Sequence, residues 1–229
     1  MNKTLTRNAL CLLAVATLAA CNGDDAEPEQ TLRVTVTNLT AGQPMSPLLL
    51  ALNTGATAWT TGEPASAGLE HLAEGGDSSM LAAEITAAGG IAEVKGAAAI
   101  GPGASESHEI SFKANANALL TLAAMLVNTN DAFTGLAALP VGALAVGDRM
   151  SRELLAWDAG SEANEETAAS IPGPAGGGEG FNAARSDALD AVRIHAGVVS
   201  SDDGLASSVL KGKHRFDNPV MKLEIERIR

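Results

Sequence analysis

The residues best placed to do chemistry are carboxylates. Ala156–Glu166 reads AWDAGSEANEE, in which Asp158 and Glu162 stand four apart across Ala-Gly-Ser. Gly160 permits a bend between them, so both carboxylates can turn toward one point. Calcium takes roughly six to eight oxygens, so such a pair needs a third acid, backbone carbonyls and water to complete a site. The other reading is a solvated acidic turn. Glu165 and Glu166, just beyond the pair, are read as solvated charge.

Other chemistries find less support. Asn128–Gly135, NTNDAFTG, has oxygen donors but lacks the sixth-position glycine and the later glutamate of an EF-hand loop. The chain has no G-x-S-x-G, H-E-x-x-H or G-x-x-x-x-G-K-[ST] pattern. Gly176–Gly178 has neither a preceding strand signal nor a Lys-Ser/Thr partner, and reads as loop. The four histidines, His71, His108, His195 and His214, are scattered. His195 lies in an apolar run and reads as a hydrogen-bonded core histidine; His108 reads as the start of an exposed strand. A hydrolase would have to assemble a triad from distant positions, and the expectation is a protein that is not an enzyme.

The ends and the composition set the context. MNKTLTRNALCLLAVATLAAC has a basic start, an apolar run from Ala9 to Ala20, and small residues before Cys21. That pattern is an export signal over residues 1–20, too short and alanine-rich for a membrane span. Its end, LAAC, resembles the lipobox of bacterial lipoproteins, which implies cleavage before Cys21, lipid on its thiol, and a place in the bacterial cell envelope. Cys11 leaves with the signal, so the mature chain has no thiol for a disulfide, a zinc site or a nucleophile. Losing Lys3 and Arg7 takes the formal charge from −12 to −14. So acidic a chain argues against nucleic acid as a partner and suits solubility and cation binding. Residues 21–30, acidic and containing Pro28, read as a tether to one domain over residues 31–229.

The elements that must position the carboxylates are mostly strands. Leu32, Val34 and Val36 alternate with Arg33, Thr35 and Thr37, which predicts a half-buried strand. Pro47–Gly55 is a continuous apolar run closed by a turn signal, so a buried strand is expected. In Ser66–Gly90, Leu69, Leu72 and Ala73 recur at helical spacing and Gly75–Gly76 stop the helix. A second short helix fits Ser79–Ala87, and both read as excursions between strands. Further strands are expected at the alternating Ile110 and Phe112, in Ala118–Asp131, in ELLAWD, around Val192–Val199, and at the C-terminus, where Met221, Leu223 and Ile225 form the apolar face. Ile171–Gly180, rich in Gly and Pro, reads as a flexible loop. Short strands separated by Gly, Pro and Asn turns predict an all-β, antiparallel β-sandwich.

Across this pattern, NTNDAFTGL, LLAWDAGSEANEE, a PGP segment, VRIHAGV and HRFDNPVMKLEI follow one another. Together, from about Leu32 to Ile228, they resemble the spondin N-terminal domain in its bacterial form. The most specific element is aromatic-Asp-Ala-Gly-Thr-Asp, present as Trp157-Asp158-Ala159-Gly160-Ser161-Glu162. The second is Asn-Asp-aromatic-x-Gly, with Asp131, Phe133 and Gly135. The resemblance implies a C2-like β-sandwich and one calcium ion on loops at one edge, held by Asp131, Asp158 and Glu162, with Trp157 packed behind the loop. It departs from the family at Glu162, where Asp is usual, and in lacking the cysteines and thrombospondin-type repeats of animal members. The matrix and guidance roles of those proteins therefore do not carry over. The expected protein is a lipid-anchored, calcium-binding module; the alternative is an adhesion module that meets an unidentified protein or glycan.

Overall fold

The computed structural model describes residues 28–184, 186–187 and 189–229. The expected signal, the lipidation site at Cys21 and most of the tether lie outside these residues. The first strand, β1 (Glu29–Asn38), begins inside the expected tether, where Glu29 and Gln30 already pair with Lys113 and Phe112.

Two antiparallel sheets form a sandwich. One has the order β4 (Ser105–Lys113), β1, β10 (Met221–Arg227) and β7 (Arg149–Leu154). The other runs β3 (Gly90–Lys95), β2 (Leu49–Asn53), β5 (Leu119–Met125), β6 (Ala132–Pro140), β8 (Ala156–Asp158) and β9 (Arg193–Ile194). The alternation read in β1 and β10 has the expected sense. Leu32, Val34, Val36, Leu223 and Ile225 point inward against Leu50, Leu52, Leu120 and Leu122 of the facing sheet. Removal of this apolar surface from water is the main stabilising term of the fold.

The two helices do more than link strands. α1 (Ala67–Gly75) starts where Ser66 Oγ accepts from Leu69 N at 3.2 Å, and ends at Gly76 in the left-handed conformation. α2 (Ser79–Ala87) follows at once. Leu69, Leu72, Leu81 and Ile85 cover the outer face of the larger sheet, over Leu49, Ala51, Ala123 and Phe133, which makes a second core. Trp59 closes it, edge-on to Phe133 at 5.0 Å. No helix among the described residues is long and apolar enough to cross a membrane.

Two expectations are corrected. The strand around Val192–Val199 is only β9, because Gly197 turns with φ 89° and its N–H is taken by His195 Nδ1 at 2.9 Å. The segment 171–180 has no helix or strand, yet it is tightly seated. A Cβ on Gly173, Gly176 or Gly178 would fall 2.2 Å from a backbone oxygen. The start of β1 and the acidic loops lie at opposite ends of the sandwich. Thr31 bonds the C-terminal Arg229, whereas Asn38, at the other end of β1, bonds Gln43, which in turn holds Asn128.

Candidate metal centre

The pairing of β6 with β8 builds the site. Ala132 lies opposite Asp158, so Asp131, one residue before β6, sits beside Ala159, one residue after β8; Ala159 N donates to the Asp131 carbonyl at 3.2 Å. The 158–162 turn then folds over the Asp131 side chain. Its Oδ2 accepts from Ser161 N at 2.9 Å, Glu162 N at 3.1 Å and Ser161 Oγ at 3.3 Å. Gly160 makes the turn possible. Its φ is 73°, and a Cβ there would stand 2.5 Å from Ala191 N. The two loops are thus side by side, as expected, and Phe133 and Trp157 both pack in the second core beneath them.

The three carboxylates are not equivalent. Asp131 is fully buried, and its Oδ1 has no partner. Asp158 is satisfied: Oδ1 accepts from Gly160 N at 2.9 Å, and Oδ2 from Asn164 Nδ2 at 3.0 Å and Arg193 Nη2 at 2.9 Å. Arg193 also donates to Asp187 at 2.5 Å. Glu162 is nearly buried, and the strongest charge upon it is that of Glu74 in α1.

Burial in the company of other acids disfavours ionisation throughout. Burial, then the neighbouring Asp158, pushes Asp131 up to about 7. Burial, then Glu74 and Asp131, pushes Glu162 up to about 8. Burial raises Asp158 even against Asn164 and Arg193, and raises Glu74 against the Asn182 N–H and Ser161.

The donor chemistry of these groups, though not their spacing, is that of a hard-cation site. Carboxylate oxygens are the donors calcium takes, and Asp131 Oδ1 is a buried acceptor with nothing to accept from. Among the described residues, no three His, Cys, Asp or Glu side chains are gathered closely enough to hold an ion as they stand. Asp158 is turned to Arg193, and mutual repulsion opposes the approach of the other acids.

Three participants escaped the sequence reading. Glu74 and Arg193 carry no local signal: Glu74 shares α1 with Glu70 and His71, and Arg193 lies between Asp190 and His195. Glu166 was read as solvated, but it is buried at φ 53°, with Oε1 accepting from Val199 N at 3.1 Å and Oε2 unpartnered. Glu165 is exposed, as expected. His195 is a buried core histidine; its Nδ1 is bonded, while its Nε2 lacks a partner, and burial, then Arg193, lowers its pKa to about 4. His108 lies within β4 rather than at its start.

A family model described as Spondin_N matches residues 48–171, more than half of the chain, and the matched stretch contains Asp131, Asp158 and Glu162. No curated protein matches the sequence.

Proposed function

Because the chain belongs to the spondin N-terminal domain family, we propose that its loop end binds one structural calcium ion through Asp131, Asp158 and Glu162. The ion would draw the 128–131 and 158–162 loops together and offset their negative charge. The observation that carries this reading is the Asp131 carboxylate: fully buried beneath the second loop, it holds that loop by one oxygen and leaves the other unpartnered. An acceptor so placed is costly alone and useful to a cation.

In this reading the protein is a non-catalytic module of the bacterial cell envelope, lipid-anchored at Cys21. β1 begins at the pole opposite the acidic loops, so an anchor upstream of it would leave them pointing away from the membrane. Metal-stripped protein should melt at a higher temperature on addition of calcium, by about 2.7 kcal/mol of stability at one hundred times Kd. Asp158→Ala should abolish the gain. An equal calcium response in both proteins refutes the site, and failure of cells to acylate the chain at Cys21 refutes the anchor.

A second reading, an adhesion module, draws support from apolar side chains exposed on the segment beside the site: Leu189 at 61%, Ile194 at 56% and Val199 at 49%. Polar replacement of all three should then abolish attachment to a surface or partner cell while leaving the melting temperature unchanged.

A further inference from the structure

The chain has two tryptophans, Trp59 and Trp157, and both line one cleft. It lies on the side of the sandwich where the chain leaves β7 in the smaller sheet, crosses through Leu155 and enters β8 in the larger. The pairing of β6 with β8 stops at Thr134 opposite Ala156, while β6 runs on to Pro140. Beyond that point β6 has no strand partner on this side among the described residues, and the gap is the cleft. Its volume is about 390 Å³, within the range of roughly 300–1,000 Å³ typical of small-ligand sites.

The lining combines aromatic and polar groups. Trp59 is held edge-on to Phe133 at 5.0 Å, so the second core fixes its position. Trp157 is half-buried, and its indole N–H has no acceptor. Gly135 and Ala137 of β6 add little side-chain bulk between the sheets' edges. Around the rings stand the exposed Thr57 and Thr61 hydroxyls and the exposed Glu153 carboxylate. None of these three side chains is hydrogen-bonded or ion-paired with another described residue. Fixed indole rings bordered by free hydroxyls and a carboxylate match a sugar, which offers apolar C–H faces for stacking and hydroxyls at its rim. A sugar hydroxyl that reached the Trp157 N–H would also remove the cost of leaving it unpaired.

An extended peptide fits this edge less well. The register of β6 against β5 shifts between Leu120 and Leu122, Ala138 has a φ of 57°, and Pro140 lacks an N–H. Bulges and prolines of this kind interrupt an edge that would otherwise accept a further strand.

We propose that this cleft is a saccharide-binding site, with Trp157 as the stacking surface and Glu153, Thr57 and Thr61 as partners of the sugar hydroxyls. It does not depend on the calcium site. Because Trp59 and Trp157 are the chain's two tryptophans, their fluorescence reports on this cleft alone. The test is titration of glucose, galactose, N-acetylglucosamine and maltose into the full chain in chelator, with emission and heat recorded. At least one sugar should give a saturable change in emission and a binding heat. Glu153→Ala should weaken that sugar at least about tenfold, the loss of a hydrogen bond to a charged group, and Trp157→Ala should abolish the heat. Glu109→Ala, at an exposed acid on β4 at the opposite edge of the smaller sheet, should leave Kd unchanged. Should Trp157→Ala fail to fold, the exposed Glu153→Ala and Thr61→Val decide: an unchanged Kd in both overturns the proposal. Failure of all four sugars overturns it and leaves the calcium reading standing. A response to an extended valine-threonine peptide and to no sugar likewise overturns it, in favour of strand pairing.

Discussion

Replacing Asp131 with Asn should stabilise the metal-free protein, although it alters a residue at the heart of the site. The side chain is fully buried, and its pKa is pushed up from 3.8 to about 7 by burial and then by Asp158. A carboxylate whose folded pKa is raised binds its proton more tightly in the folded state. Its contribution is fully present below the unfolded value, near pH 4, and is lost as pH rises through 7. A shift of one unit corresponds to about 1.4 kcal/mol, so keeping Asp131 ionised at pH 8 costs up to about 4 kcal/mol. Asn is nearly isosteric. Its amide oxygen can still accept from Ser161 N and Glu162 N, while its NH2 replaces the unpartnered Oδ1 and can donate toward the surrounding acids. For a domain of this size each kcal/mol moves Tm by about 2–4 °C. Asp131→Asn in chelator at pH 8 should therefore melt several degrees above the wild type, and the gap should close toward pH 4. Saturating calcium should reverse the order, because only the wild type gains. Thermal melts followed by circular dichroism over pH 4–8, with chelator and with calcium, measure all three. A variant less stable than the wild type in chelator at pH 8, or a difference independent of pH, refutes the reasoning.

Two further outcomes follow from the same geometry. Under the calcium reading the ion displaces protons from Glu162 and Asp131, which burial and neighbouring acids push up to about 8 and about 7, so affinity should rise from pH 6 to 8.5; titration in buffers of different ionisation enthalpy should show proton release, and a flat profile contradicts it. Gly160→Ala combines a left-handed φ of 73° with a Cβ 2.5 Å from Ala191 N, so it should destabilise the protein by at least about 1–3 kcal/mol and weaken calcium; chemical denaturation and calorimetry check both.

Much of the scaffold was legible because local chemistry and tertiary environment agree. The Val34/Thr35 alternation of β1 matches a sheet with one face inward, and the Ser66 cap and Gly76 stop bracket α1 because those residues satisfy its free backbone groups. β3 and β6 have no counterpart among the expected strands: Gly90–Lys95 carries a weak signal because every second residue is exposed, and the strand expected over Ala118–Asp131 ends at Met125, where Thr129 bonds Leu126 O and Ala132 N and turns the chain into β6. The strand read over Val192–Val199 was too long because apolar content says nothing of the turn that Gly197 imposes. At the site, spacing located Asp158 and Glu162, and the family resemblance brought in Asp131. Helical periodicity could place Glu74 near the buried face of α1 but could not show that the Asn182 N–H, 108 positions later, would donate to it. The burial of Glu166 was hidden for the same reason. Its partner, Val199, belongs to another loop, and nothing local distinguishes it from the exposed Glu165.

The burial of Asp131 and Glu162 side by side is a conflict the fold carries and does not relieve by itself. Three of the acids could be amides, with the same shapes and hydrogen-bond acceptors, and the turn over Asp131 would still form. Exchanging one of them would lower the repulsion that adds to burial in raising Glu162 to about 8. Local inconsistencies of this kind concentrate at functional sites, where an interaction made only in the bound state offsets them. Under the calcium reading a divalent cation is such a partner, because it attracts every carboxylate around it. Arg193 offers the contrast within the same loops. It neutralises Asp158 from a strand that pairs with β8, and so holds one acid in a fixed geometry without an ion. Among the described residues the loops therefore combine an internally balanced half, Asp158 with Arg193, and an unbalanced half, Asp131 with Glu162. The unbalanced half is where added positive charge changes the energy most.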